Sequence, residues 1–587
     1  MSVSRMRCTF FVATSRGRMR GEMRGAASAR SGNQVGEGGG RCRSFAFFAR
    51  DRRRPQPFPP SAAQAEQGCL QGHQIARIRR LDRRGMMEWK MAREPLMTLA
   101  TDCLVVLHTQ GGESLKGCAR EADEALDHRI SQLVTEGEVT GRYKEAVLVH
   151  NWGKIPAKRL LVLGLGKEEK LTLDRFRNAV AVAARKARGA GVKQLTFGCA
   201  KHLNRRWNAA DFVQALVEGV ELGLYRYRGW KSQDETTDAK TLETVWLSLE
   251  EVSNPAYEAG VERGRVFAAA TNTARDLANK PANILTPSTL AERASEIADR
   301  QGLNVEILEE ERLKELNMSA LLAVSEASAE PARMIVLSYE GAPESQEVLG
   351  LVGKGVTFDS GGIQVKPSRG MEQMKGDMAG AAAVLGAMEA IGSLRPHCNV
   401  TAVIPACENM INGNGFRPGD VIRSFSGKTI EIHHTDAEGR LILADGLAYA
   451  RRLGATSLVD VATLTGAVIV ALGHTATGVM ANDSEWSAEV KEAARHAGEK
   501  VWELPMYEEY EEYIRSEVAD MKNEGGSPAG TIQGGMFLKQ FVEETPWTHL
   551  DIAGTADGQK EDGIHLRGAT GAGVRTLTQL ALRFGGK

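Results

Sequence analysis

Four carboxylates in this chain stand among glycines and apolar runs rather than on charged, solvated faces. Asp359 lies in Gly353-Lys354-Gly355-Val356-Thr357-Phe358-Asp359-Ser360-Gly361-Gly362, Asp377 follows in Met374-Lys375-Gly376-Asp377, and Asp436 and Glu438 share His434-Thr435-Asp436-Ala437-Glu438-Gly439-Arg440-Leu441. Gathering such groups in a partly dry place costs roughly several kcal/mol per desolvated charge, and mutual repulsion adds to it. Cations offset that cost, so the pattern points to a divalent metal site.

Taken singly, each residue has a structural reading. Asp377 fits an N-cap for the Ala-rich helix expected over Met378–Ile391, and Thr435-x-x-Glu438 is a formal capping box. Lys354 after a glycine suggests a phosphate loop, yet GxxxxGK[ST] is absent because Gly355 follows the lysine. Gly568-x-x-Gly571-x-Gly573 reads as a turn.

The elements that must position these groups are those of an α/β chain. From about 95 to 250, short apolar strands (Cys103–His108, Ala146–His150, Arg159–Leu163, Gln194–Phe197, Val245–Ser248) alternate with amphipathic helices (Leu173–Gly189, Ala209–Gly223). Arg228–Lys240 reads as a linker. A long helix over Ala256–Asn279 stops at Lys280-Pro281, and another opens near Ser288. Strands then follow at Met334–Tyr339, Val348–Val352, Asn399–Pro405, Ser457–Val461 and Trp547–Asp551, interleaved with helices after Asp377, after Arg440 and over Gln533–Glu543. Lys354 and Asp359 fall where an apolar strand runs out into glycines, the place where ligand crevices form in open α/β sheets. Asp436 and Glu438, flanking Ala437, aim one way if that segment is extended. The expected division is an extension over 1–85, an N-terminal α/β domain over 86–250 and a larger α/β domain over 255–587.

The 587 residues carry equal numbers of acidic and basic groups, but unevenly. Residues 1–85 hold 18 Arg, no Lys and five acids, an excess of 13 positive charges that the remainder balances. This Arg-, Gly- and Pro-rich stretch lacks a sustained apolar period and is expected to be disordered. It reads as sequence upstream of a start near Met87, in preference to a transit peptide or a nucleic-acid tail. Eight scattered cysteines without a CxxC pair suit reduced thiols and a cytoplasmic location. No membrane span is expected, since the most apolar run, Ala462–Leu472, is about half the length a bilayer requires.

Together, VGKGVTFDSGG, KPS with MKGDMAGAAAV, HTDAEGRLILADGL, DVATLTGA and HLDIAGTA resemble the leucyl aminopeptidase family of dimetal exopeptidases, over most of residues 95–587. The resemblance implies a smaller N-terminal α/β domain and a larger catalytic one with a mixed central sheet flanked by helices, assembled as a homohexamer. It implies two divalent ions, zinc or manganese with magnesium or cobalt in exchange. Asp359 and Glu438 would touch both, Asp436 would complete the more exchangeable site, and Lys354, as a neutral amine, and Asp377 the tighter one. Lys366 would polarise the scissile carbonyl, and Arg440 would hold a bicarbonate that shuttles a proton to a water bridging the ions. Thr463, Leu464 and Gly466 would meet the substrate backbone and Met374 the first side chain. The implied activity is release of N-terminal Leu and other apolar residues from peptides. Asn is usual where this chain has His434, which adds either a titrating group or a ligand beside Asp436. A competing reading, a nucleic-acid-binding protein relying on the Arg-rich start, predicts salt-dependent DNA binding that vanishes without residues 1–85; nucleic acid is not an expected partner. A relative with a dead site is opposed by the intact set of seven polar residues.

Overall fold

The computed structural model describes residues 87–586, apart from 93, 112–113, 199–205, 231–240 and 250–253. The expectations of disorder over 1–85 and of a linker over most of 228–240 lie outside the described residues.

Two sheets organise the described chain. The first has six strands in the order Glu88–Ala92, Thr244–Ser248, Gln194–Gly198, Cys103–His108, Leu160–Gly164 and Ala146–Val149. Neighbours are parallel except at the Ala146–Val149 edge. Central strands are buried along their whole length (Cys103–His108, Leu160–Gly164), as a sheet covered on both faces requires. The helix Leu173–Gly189 begins at Thr172, whose side chain accepts the N–H of Arg175, and its buried stripe of Phe176, Val180, Ala183, Ala184 and Ala187 sits in the first core.

The second sheet is mixed and carries the chemistry. Its order is Val501–Glu503, Thr477–Ala481, Trp547–Asp551, Ser457–Ala462, Val348–Gly353, Asn399–Asn409, Arg333–Glu340 and Asn304–Leu308, with Gly355–Asp359 pairing beside the end of Asn399–Asn409. Side chains alternate between two cores with the period of a strand. Leu349, Leu351, Val459 and Val461 face the core capped by helices Ala379–Leu394 and Val574–Phe584, while Val352, Leu458 and Ala462 face the core capped by Glu438–Arg452 and Gly530–Lys539. The stretch Met371–Leu394 is long and apolar enough to cross a bilayer by composition, yet most of it is buried in the fold.

The helix Pro255–Asn279 serves both cores, with Tyr257 in the first and Ala270, Ala274 and Leu277 in the second. Strand positions match expectation to within a few residues. The helix expected over Gln533–Glu543 runs instead from Gly530 to Lys539. Its expected tail turns away after Lys539, burying Phe541 and Val542 in a non-helical loop.

Candidate metal centre

Three strand ends build the centre. The parallel strands Val348–Gly353 and Ser457–Ala462 run out into Lys354 and Thr463, and Gly355–Asp359, parallel to Asn399–Asn409, ends on Asp359. The carboxyl ends of parallel strands thus deliver the site, as the open-sheet rule expects. The other three carboxylates come from turns that lead into helices, Asp436 among them in the turn just before Glu438. Asp377 closes the 3-10 turn Met371–Gly376, and Glu438 is the first residue of helix Glu438–Arg452.

Neither acid caps a helix. The position before Ala379 is Met378, the position before Glu438 is Ala437, and neither helix has a side-chain cap. Thr435 donates its hydroxyl to the Gly361 carbonyl (2.7 Å) and accepts the Gln364 N–H (3.1 Å), so it ties two loops together instead of forming a capping box. The segment over Asp436–Glu438 is a turn entering a helix, not an extended strand, and the two carboxylates converge by that route. Two glycines are required. A Cβ on Gly439 would lie 2.6 Å from Lys354 Cε, and Gly361, at φ +88°, would place one 2.9 Å from Asp436 Oδ1.

Two ammonium groups weld the carboxylates together. Lys354 Nζ, 3% exposed, lies 2.7 Å from Asp377 Oδ2, 2.8 Å from Glu438 Oε1 and 2.9 Å from the Thr463 carbonyl. Lys366 Nζ lies 2.6 Å from Asp359 Oδ2 and 2.5 Å from Asp436 Oδ1. Oxygens of Asp359, Asp436 and Glu438 fall within 4.8 Å of one another. Burial works against the charge on Lys354, but Asp377, Glu438 and Asp359 outweigh it and hold its pKa up; the same contest raises Lys366. The carboxyls move up as well. Desolvation, then Glu438 and Asp359, raise Asp377 despite Lys354, and desolvation with Asp359 and Glu438 pushes Asp436 to about 7.

With all four carboxylates ionised, the two ammoniums leave an excess of two negative charges in a mostly buried place, and the raised pKa values of Asp377 and Asp436 register that strain. Glu438 Oε2 is buried without a hydrogen-bond partner. An oxygen-rich donor set, an unpartnered carboxylate oxygen and uncompensated negative charge fit hard divalent cations. In this arrangement Lys354 keeps its proton; as a ligand it would have to lose it, with dications replacing the ammonium as counter-charge.

The remaining expected residues lie on the chain segments that adjoin this cluster. Thr463 Oγ1 donates to Asp377 Oδ1 (2.7 Å), and the Leu464 N–H donates to Asp551 Oδ1 (3.2 Å). Gly466 is exposed at the start of helix Gly466–Leu472. Met374 is half-buried in the turn that precedes Asp377. Arg440 is buried and donates to the Asn523 carbonyl (2.7 Å), while its Nε has no partner and burial lowers its pKa. A guanidinium with a free buried N–H is equipped to hold an oxyanion.

His434 Nδ1 accepts the Asp436 N–H (3.1 Å), so that lone pair is not open to an ion. Asn409 and Asn523 escaped the sequence reading. Asn409 Nδ2 bridges Asp359 Oδ1 (2.9 Å) and the Thr435 carbonyl (3.1 Å), and Asn523 grips both backbone groups of His434. A buried amide at a strand end carries no local signal of this, since its partners are distant in the chain.

Comparisons place the geometry among known proteins. Residues 272–578 match the model of the cytosol aminopeptidase family, catalytic domain, and residues 105–234 that family's N-terminal domain. The chain is 46% identical over 499 residues to the "Probable cytosol aminopeptidase" of Alkaliphilus metalliredigens (strain QYMF), covering 84% of this chain and 99% of that one. It is 46% identical over 462 residues to the protein of the same name from Geotalea uraniireducens (strain Rf4), covering 78% and 92%. Among solved structures, a mutant of tomato leucine aminopeptidase superposes with a TM-score of 0.77 at 34% identity, covering 85% of this chain and 97% of that one. The bottromycin maturation enzyme BotP in complex with Mn superposes at 0.72, also at 34% identity, covering 83% and 100%.

Proposed function

Because this chain belongs to the cytosol aminopeptidase family and is a metal-dependent aminopeptidase, we propose that Lys354, Asp359, Asp377, Asp436 and Glu438 hold two divalent ions that work with Lys366 and Arg440 on the first peptide bond of a substrate. The ions, zinc or manganese with magnesium or cobalt in exchange, would acidify a water and polarise the carbonyl under attack. Asp359 and Glu438 are assigned to both ions, Asp436 to the exchangeable one, and Lys354 with Asp377 to the tighter one.

The chain's own groups do the rest. Lys366, the less buried of the two lysines and held between Asp359 and Asp436, would donate to the carbonyl oxygen as negative charge grows there. Arg440 fixes a bicarbonate through its unpartnered Nε and so keeps a proton acceptor beside the reacting water. Backbone groups of Thr463, Leu464 and Gly466 align the peptide, and Met374 lines the pocket for the first side chain, where an apolar wall separates residues by about 1–3 kcal/mol per methylene and so favours Leu and similar side chains broadly. A homohexamer in the cytoplasm, acting on peptides with a free N-terminus, completes the reading, with residues 86–250 and 255–587 as its two domains.

One observation carries this proposal above the rest: four chain segments bring four acids and two lysines together, and Glu438 still has a buried oxygen without a partner. The test is hydrolysis of leucine p-nitroanilide by metal-loaded protein. Activity should disappear on chelation and return with manganese or zinc. Inactivity of freshly loaded protein, with two ions bound per chain, would refute the assignment.

A further inference from the structure

Away from the metal centre, helix Leu173–Gly189 of the first core and the segment 555–575 of the second enclose a cleft of about 690 Å³. Its lining is polar and unevenly charged. Arg175, Arg275, Arg575, Lys144, Lys500 and Lys560 face four carboxylates, Asp174, Glu499, Asp557 and Asp562.

The carboxylates are engaged. Glu499 accepts the N–H groups of Gly573 (3.2 Å) and Thr576 (3.0 Å), Asp562 pairs with Lys144, Asp557 accepts from Gln559 (3.0 Å), and Asp174 accepts from Asn178 (3.0 Å). The cations are less well matched. Among the described residues, Arg175, Arg275, Lys500 and Lys560 make no ion pair, and Arg175 lies on the Tyr143 ring with its Nε unpartnered.

Arg275 is the sharpest case. It is 1% exposed, and its donors go to the carbonyls of Thr570 (2.9 Å), Leu222 (3.1 Å) and Ile564 (3.0 Å) and to Asn272 Oδ1 (3.2 Å). Burial, and then Arg575, bring its pKa down to about 10. Carbonyl dipoles satisfy its hydrogen bonds but do not neutralise it, and a buried charge without a counter-ion is costly.

We propose that this cleft binds a multiply charged oxyanion of the phosphate class. Ammonium groups of Lys500 and Lys560 at the exposed rim supply point charges, and the guanidinium of Arg175 supplies directed N–H donors. Because the lining comes from both cores, an occupant strengthens the joint between them.

Titration calorimetry of the full chain with its metals, using inorganic phosphate against chloride at constant ionic strength, tests this. One saturable site per chain is expected. Lys500→Glu with Lys560→Glu should weaken that binding at least tenfold and leave hydrolysis of leucine p-nitroanilide unchanged, while Arg440→Ala, which alters the catalytic oxyanion position, should leave it intact. Phosphate should also raise Tm in wild type but not in the charge-reversed variant. Absence of saturable binding, equal binding by the charge-reversed variant, or loss of binding in Arg440→Ala would each overturn the proposal.

Discussion

Two buried charge clusters in this molecule solve the same electrostatic problem with opposite signs. In the metal centre, four carboxylates face two lysines, and an acid oxygen stays without a partner. Where the two cores meet, the buried carboxylate Glu218 is shared by Arg177 (2.7 Å) and Arg575 (3.3 Å) and also accepts from Gln214 (2.7 Å). The second cluster meets its acid with protein cations from helices of both domains, and those cations find further acids in Asp174 (3.5 Å from Arg177) and Glu499 (3.8 Å from Arg575). The first leaves negative charge over, at strand ends that open toward ligands. A structural cluster supplies its own counter-charge, whereas a functional one leaves that role to something that comes and goes.

The largest break in this contrast is Glu438→Ala. Removing an acid assigned to both ions should empty the centre and lower kcat by on the order of 10³-fold or more, since metal polarisation is worth several kcal/mol. Metal analysis and kinetics on the same preparation check it. Lys366→Ala separates chemistry from binding. It should retain its two ions and lose about 10²–10³ in kcat, the loss expected for one oxyanion donor. If Lys366→Ala loses its metals instead, the lysine is a structural counter-ion and the two clusters are alike.

Glu218→Gln attacks the other cluster. Two buried guanidiniums would lose their shared acid and keep only the longer pairs to Asp174 and Glu499, which should cost about 3 kcal/mol of unfolding free energy. Metal content should stay at two, which denaturant titration and metal analysis together would show. Stability falling together with metal content would mean the clusters are coupled.

Metal removal gives a smaller effect with a defined sign. Desolvation, Asp359 and Glu438 hold Asp436 near 7, above its ordinary 3.8. A carboxyl whose folded pKa is raised contributes stability at low pH that is lost as pH rises through the folded pKa. The chelated protein should therefore lose Tm between about pH 4 and 7 relative to the loaded protein, in which cations favour the carboxylate. Calorimetry with and without chelator reads the difference, and Asp436→Asn should flatten it. A chelated protein that gains Tm over this window relative to the loaded one contradicts the assigned shift.

Much of this was legible in the chain. Val348–Gly353 and Ser457–Ala462 announce themselves as apolar runs, and the glycines around Lys354 and Asp359 mark where backbone and side chains crowd. Local rules failed where tertiary contacts overrode them. Asp377 and Thr435 fit capping patterns, but their polar groups go to Thr463, Gly361 and Gln364, far away in the chain. The Arg177–Glu218–Arg575 cluster left no trace, because ordinary helix-surface spacing gives no hint that these faces are buried against each other. Strand Asn304–Leu308, with exposed and half-buried positions, was also missed.

The finest distinction lies at His434, where the sequence resemblance leads to the expectation of Asn. Asn accepts the N–H two residues ahead through Oδ1, closing an Asx turn. Here imidazole Nδ1 stands in that place, accepting the Asp436 N–H, while Asn523 holds the His434 carbonyl (2.7 Å). An Asn side chain would keep that acceptor and change only what carries it. His434→Asn should then leave kcat within about threefold of the parent, well under 1.4 kcal/mol. His434→Ala removes the acceptor and should cost about 1 kcal/mol in holding Asp436, seen as weaker retention of the more exchangeable ion in a buffered-chelator titration. Recovery of that retention by His434→Asn but not by His434→Ala assigns the effect to the turn. Equal weakening in both would show that the imidazole acts on the ion through Nε2, and the centre would then carry a group that the rest of its carboxylate chemistry does not need.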